Sequence, residues 1–263
     1  MIKILKPKNS HRDTFRELLD LWSENGFCDL EESTDDFCWI NNQGEILLYD
    51  HPRLDDRQIP DFKFGLFGNT VPVNEKTSPW IFWGRRPRVL EKFRKEAIPS
   101  FKERSIKSIF LGKIENNIQN QNRVTHDWSS CVELFNCPVD RPGPDYYKYS
   151  QEEYLNKLKQ SKFGLCLAGY GPKCNREIEL LGMGVIPVFT PQVNYDYYDP
   201  LIEGVHFIKI ENTKDFIEKI NSITEPQFND MQQAGQIWFE KNCSVKGSFE
   251  TTLQIINNYK GIR

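Results

Sequence analysis

With 263 residues, 38% of them hydrophobic and 13% aromatic, the chain carries enough apolar surface for one large core or two modest ones, which excludes a disordered polymer. Its 34 basic and 37 acidic side chains leave a net charge of -3, so no long-range field draws in a nucleic acid. Seven cysteines, an odd number without a close CxxC pair, indicate neither a disulfide framework nor a zinc site and fit a reducing compartment.

Ile2–Leu5 predicts a first strand. The sequence turns polar too soon after it for a secretory signal, and no run approaches the roughly 18 apolar residues of a membrane span. A cytoplasmic chain without its own anchor is therefore expected. Ser10 is placed to cap a helix running to about Glu24, with Phe15, Leu18, Leu19 and Trp22 at helical spacing. Two short strands are expected about the Asn42-Gln43-Gly44 turn, then strands at Phe62–Phe67 and Pro79–Trp83. A helix over 86–98 follows. Its basic cluster, Arg85, Arg86, Arg88, Lys92, Arg94 and Lys95, reads first as a solvated face and second as an acceptor- or phosphate-binding surface.

Pro99-Ser100 marks a break, and a domain boundary is expected near 99–107. Beyond it, short apolar strands alternate with helices: Ser108–Leu111, Cys131–Phe135, Phe163–Leu167 and Val185–Phe189 are the strands. Residues 140–149 read as a loop, and Ser150 with Glu153 forms a capping box for the helix carrying Tyr154, Leu155 and Leu158 toward a core. Helices over 213–222, 227–241 and 245–258 close the chain. The alternation predicts a parallel α/β arrangement divided into domains 1–103 and 104–245. A terminal helix, 246–263, has the N-terminal domain as one place to pack.

The segment with chemical content is SKFGLCLAGYGPKCNREIELLGMGVIPVF, residues 161–189. Its strand opens into Gly169-Tyr170-Gly171-Pro172, where backbone can approach a ligand closely. Arg176 and Glu179, three apart at the start of a helix, can face one cleft. In an open parallel sheet that cleft lies beyond the strands' C-terminal ends. A helix N-terminus and Arg176 suit a diphosphate, and the Glu179 carboxylate suits the vicinal hydroxyls of a ribose. A dinucleotide fold is disfavoured, because Gly169-Tyr170-Gly171 lacks the third glycine three positions on.

The segment also resembles the exostosin-like glycosyltransferases. The likeness rests on Ser161-Lys162-Phe163, Gly169, Arg176, Glu179, Gly184 and Pro187-Val188, preceded by Tyr154 and Leu158, with Phe110-Leu111-Gly112 and Arg123 matching the start of the family's donor domain. It covers roughly residues 107–190, and the loop Tyr170–Asn175 departs from the family's usual small residue and proline. The resemblance implies a GT-B-like glycosyltransferase, two Rossmann-like domains facing across a cleft. Residues 1–103 would be the acceptor side and 104–245 the nucleotide-sugar side. It further implies a UDP-sugar donor, an oligosaccharide or glycoprotein glycan as acceptor, inversion at the anomeric carbon, and no bound metal. Compact forms of the family, encoded by large viruses of algae, make xylose the first donor sugar to expect, with host cytoplasm as the location. UDP-glucose, UDP-galactose and UDP-glucuronate stay open. Gly112, Lys113, Arg123, Gly169, Tyr170, Arg176 and Glu179 are the expected donor-binding residues.

No D-x-D triplet ends an apolar strand, which agrees with the absence of a required metal. An inverting transfer needs a base, and Asp50-His51, ending the predicted strand Ile46–Tyr49, offers one on the N-terminal side. Asp55, Asp56, Asp61 and Glu75 compete with it, and His126-Asp127 is a further acid–base pair within the donor half. A nucleotide- or glycan-binding module without catalysis is the alternative reading.

Overall fold

A hairpin near the N-terminus decides the first sheet's topology. Strand β3 (Cys38–Ile40) pairs antiparallel with β4 (Ile46–Tyr49), because the connection between them is too short for a crossover. Strand β1 (Ile2–Lys6) pairs antiparallel with β3 and parallel with β2 (Cys28–Glu32), reached through helix α1 (Asp13–Glu24). Strands β5 (Phe64–Phe67) and β6 (Thr77–Pro79) continue parallel to β4, giving the order β2-β1-β3-β4-β5-β6. The first sheet is thus mixed, where a Rossmann-like domain, the arrangement the family resemblance implies, would be parallel. The computed structural model describes residues 2–7, 13–40, 45–50, 59–69, 74–114, 118–137 and 149–259. Ser10, the turn at 42–44, His51, Asp55, Asp56 and the loop over 140–148 lie outside these residues.

The second sheet is parallel throughout, with β7 (Ile106–Leu111), β8 (Leu134–Asn136), β9 (Ser161–Cys166), β10 (Ile186–Phe189) and β11 (Ile208–Lys209) in the order β11-β10-β9-β7-β8. From β7 the chain steps to one side to form β8, then crosses to the other for β9. The strand order therefore reverses between β7 and β9, the position at which open α/β sheets bind ligands. Helices α2 (Pro87–Arg94), α3 (Ile118–Arg123), α4 (Gln151–Lys159), α5 (Asn175–Gly182), α6 (Thr213–Ser222), α7 (Glu225–Asn242) and α8 (Val245–Asn258) complete a two-domain α/β architecture, each sheet flanked by helices. The capping box of α4 is present: Ser150 Oγ accepts from Glu153 N at 3.2 Å, and Glu153 Oε2 accepts from Ser150 N at 2.8 Å. Among the described residues no helix is long and apolar enough to cross a membrane. All seven cysteines are free thiols.

Trp80–Trp83 is buried yet joins neither sheet, a correction to the predicted strand. The Trp80 N–H still donates to the Phe67 carbonyl of β5 at 2.9 Å, but the carbonyls of the run turn to the second half of the chain. The Trp80 carbonyl accepts from Tyr198 N at 3.3 Å, the Phe82 carbonyl from Cys243 Sγ at 3.2 Å, and the Trp83 carbonyl from Asn175 Nδ2 at 2.8 Å. The run is apolar because all four side chains are buried in a core cluster shared by residues of both halves. Helix α8 reaches the same region: Ser248 and Thr252, one helical turn apart, accept from Trp22 Nε1 and Trp80 Nε1, each at 2.8 Å.

Arg104 ties the start of β9 to the turn that leads into β10. Its guanidinium donates to the carbonyls of Pro99, Lys159, Ser161, Met183 and Gly184 at 2.5–3.2 Å, and burial pulls its pKa down to about 10. These acceptors end α4, start β9 and close the turn before β10. Removing a buried group so fully bonded leaves several carbonyls unsatisfied. Arg104→Ala is expected to cost about 3–5 kcal/mol of stability by urea unfolding, and Arg104→Lys, with fewer donors and no planar fork, to recover less than half.

Candidate functional site

Beyond the C-terminal ends of β7 and β9 lies a cavity of about 700 Å³, lined from the first half of the chain by Asn69, Phe82, Arg85, Arg86 and Val89 and from the second by the ends of β7 and β9 and by α4 and α5. Six basic side chains line it, Arg85, Arg86, Lys113, Arg123, Lys173 and Arg176, against two acidic ones, Glu152 and Glu179. Seven of the nine residues expected to hold donor or perform catalysis line this cavity: Gly112, Lys113, Arg123, Gly169, Tyr170, Arg176 and Glu179.

Arg176 is the centre of the site. It is 9% exposed, and its Nη2 donates to the Leu111 carbonyl at 2.9 Å. Its guanidinium carbon lies 4.3 Å from the centre of the Phe110 ring, a cation–π contact. Its Nε and Nη1 are buried and have no hydrogen-bond partner. Buried donors on a charged group are costly to leave unmet, so two unmet ones beside a cavity mark a place for an acceptor. Gly112 allows this placement, since a Cβ there would stand 2.5 Å from Arg176 Nη2.

A second guanidinium accompanies it. Arg123 Nε donates to the Ala168 carbonyl at 3.2 Å, and its Nη1 donates to the Lys113 carbonyl. Burial and then the neighbouring Arg176 charge lower its pKa, as expected of two cations held together. Gly169 passes close beneath this pair: a Cβ there would meet Cys174 Sγ at 3.0 Å and Arg123 Nη2 at 3.4 Å. Lys173, 1% exposed, donates to the Asp196 carbonyl at 2.7 Å and lies 4.6 Å from the Tyr197 ring. Burial lowers its pKa to about 8, so it is still mainly charged at neutral pH.

Glu179 faces the cavity but is already engaged. Its Oε1 accepts from the Arg85 backbone N–H at 2.7 Å and its Oε2 from the Tyr154 hydroxyl at 2.8 Å. Burial raises its pKa even though both bonds favour the charged form. Each carboxylate oxygen has a second lone pair, so further acceptor capacity remains. The N-terminus of α5, by contrast, is closed by its own side chain: Glu177 Oε2 accepts from Cys174 N at 2.5 Å. The Cys174 N–H is thereby met within the protein and is not offered to the cavity.

Asp50 stands half-buried at the end of β4, close enough to raise the proton affinity of the buried Cys38 thiol, and is not among the cavity-lining residues. Asp61 and Glu75 are exposed and do not line it either. His126 and Asp127 are exposed, bonded to the neighbouring hydroxyls of Thr125 and Ser129. Among the described residues no group of three or more His, Cys, Asp or Glu could hold a metal ion. Tyr154 and Lys173 line the cavity and were missed by sequence reasoning, while Arg85 and Arg86, also on its wall, belong to the basic cluster whose second reading is a binding surface. Tyr154 has the helical spacing of a core residue, and nothing in that spacing shows where its hydroxyl ends. No protein-family model matches the chain, and no curated protein matches it by sequence.

Behind Arg176 lies Glu177, 0% exposed, with Oε1 lacking a hydrogen-bond partner; burial raises its pKa from 4.5 to about 7. Between those values the folded chain holds a proton that the unfolded chain has released. Stability is accordingly highest below pH 4.5 and falls as pH rises toward 7, as far as this group is concerned. Glu177→Gln keeps an acceptor for Cys174 N and removes the charge. Thermal melts are expected to show a Tm several degrees above that of the wild type at pH 8, with the difference shrinking toward pH 5.

Proposed function

We propose that this chain is an inverting glycosyltransferase of the exostosin-like kind, moving a sugar from a UDP-sugar to a glycan hydroxyl, with a GT-B-like arrangement of its two domains. One observation carries the reading: Arg176 presents unmet Nε and Nη1 donors beside a cavity at the strand-order reversal, with Arg123 adjoining. A diphosphate supplies acceptors and negative charge of the kind those groups require. Glycines 112 and 169 leave room for it close to backbone. Glu179, through its remaining lone pairs, would accept from the ribose hydroxyls.

In the transfer, a base removes the proton of the acceptor hydroxyl while its oxygen attacks the anomeric carbon. The bond from that carbon to the diphosphate oxygen breaks on the opposite face, inverting the centre. Charge developing on the departing UDP falls on Arg176, Arg123 and Lys113, so this reading requires no divalent cation. Asp50, although it does not line the cavity, and its neighbour His51 are the first residues to test as the base, and xylose is the first sugar to test.

Calorimetric titration tests the donor site. Arg176→Ala is expected to weaken UDP binding about ten- to hundredfold, the loss of a charge-assisted contact of about 1.5–3 kcal/mol, while the protein stays folded. Unchanged UDP affinity would refute the site. Single-turnover transfer tests the base. Asp50→Asn should retain UDP binding and lose roughly 10²–10⁴-fold in rate. A wild-type rate would move the base elsewhere, and the absence of transfer to any acceptor by the wild-type protein would leave a binding module.

A further inference from the structure

Two buried side chains around α5 carry polar atoms that the protein does not meet. Glu177, next to Arg176 in sequence, is 0% exposed; its Oε2 accepts from Cys174 N, and its Oε1 has no hydrogen-bond partner. Tyr197 is 3% exposed, and its hydroxyl is buried without a partner as well. Burial, and after it the Glu177 charge, raise the proton affinity of that hydroxyl, so the two groups share one environment. Capping α5 takes one acceptor oxygen, which a glutamine would supply equally. The cap therefore accounts for neither the second oxygen nor the charge.

The other ionisable groups of this environment hold their charge state at neutral pH. Arg176 and Arg123 are cations, and they oppose the burial that pushes the Glu177 carboxyl up to about 7. The thiols of Cys137, Cys166, Cys174 and Cys243 and the Tyr197 hydroxyl stay protonated, with burial the largest cause in each. Lys173, 4.6 Å from the Tyr197 ring, keeps its proton up to about pH 8. Glu179 is held by two hydrogen bonds that favour its charge. Arg176 lines the cavity and Glu177 does not, so an anion in the cavity and the Glu177 carboxylate draw on one guanidinium. A cation away from water stabilises one such charge better than two, and a carboxylate can discharge by taking a proton.

We propose that Glu177 is a proton-linked positioning residue: when a diphosphate engages Arg176, the Glu177 carboxylate takes a proton from solvent and leaves the guanidinium's charge to the ligand. The inference rests on the nucleotide-sugar reading, which brings the diphosphate to Arg176. By linkage, affinity for the diphosphate is greatest below about pH 7 and falls as pH rises, because binding must then recover a proton that the free site has released. A Glu177 that only caps its helix gives no such dependence.

Calorimetric titration with UDP tests this in the wild type and in Glu177→Gln, which keeps the acceptor for Cys174 N and cannot titrate. Buffers of unequal ionisation enthalpy count the protons taken up, and the titrations of UDP itself and of Lys173 are common to both proteins. At pH 7 the wild type is expected to take up about 0.3–0.5 proton more than Glu177→Gln, as a half-charged group discharges. At pH 8 Glu177→Gln should bind UDP about three- to tenfold more tightly than the wild type, and at about pH 5.5 the two should agree. In the wild type alone, infrared difference spectra at pH 7 should gain the C=O band of a protonated carboxyl when UDP binds. Equal proton uptake by the two proteins, or Glu177→Gln binding no tighter at pH 8, overturns the inference and leaves the donor site standing. Should Glu177→Gln not fold, the infrared band decides, and its absence overturns the inference. Failure of the wild type to bind UDP at all removes the nucleotide-sugar reading and this inference with it.

Discussion

Both oxygens of the Glu179 carboxylate are bonded by the protein, and the geometry of the cleft depends on it. One oxygen holds the Arg85 backbone and the other holds Tyr154 on α4, so three separate stretches of chain meet at one buried charge. A buried carboxylate that lost either partner would be expensive, so α5 cannot slide against residues 84–86 without a large penalty. Arg176, on the same helix nearly one turn earlier, is thereby fixed relative to the opposite wall. Gly84 makes the approach possible: a Cβ there would lie 2.3 Å from Leu90 Cδ2 and 3.0 Å from Glu179 Cγ.

The arginines of the site are positioned mainly by neutral groups. Arg123 donates to the carbonyls of Lys113 and Ala168, and Arg176 donates to the carbonyl of Leu111. A carbonyl dipole orients a guanidinium without cancelling its charge, whereas a carboxylate partner would do both. The positive field in the cavity is thus retained, at the cost of desolvation that the lowered pKa of Arg123 reflects.

Much of the second half was legible because its pattern is regular. The helices α4, α6, α7 and α8 follow from capping residues and helical spacing, and the strands around Gly112 and Gly169 follow from apolar runs ending in glycine. The first half was harder to read. Strand β2 alternates charges along an edge, Asp29, Glu31 and Glu32, and so resembles a polar loop. Trp80–Trp83 resembles a strand because apolarity reports burial and does not report which groups bond the backbone. Arg176 and Glu179 could be placed on one cleft from spacing, whereas Arg123 was reached only through the family resemblance. Tyr154, 25 residues from Glu179, could not be assigned to it, since only the packing of α4 beside α5 brings its hydroxyl there. Arg104 and Glu177 carried no signal at all, as each is defined by partners the fold assembles.

Helix α8 has a bearing on how the chain reaches this state. Trp22 and Trp80 are both 0% exposed, and each finds the partner for its indole N–H on α8, more than 170 residues later. During synthesis the first sheet therefore emerges long before the helix that covers its tryptophans. The indole N–H groups of the first half thus gain their final partners only after Val245–Asn258 has been made, which ties the last packing of the first sheet to the end of the chain.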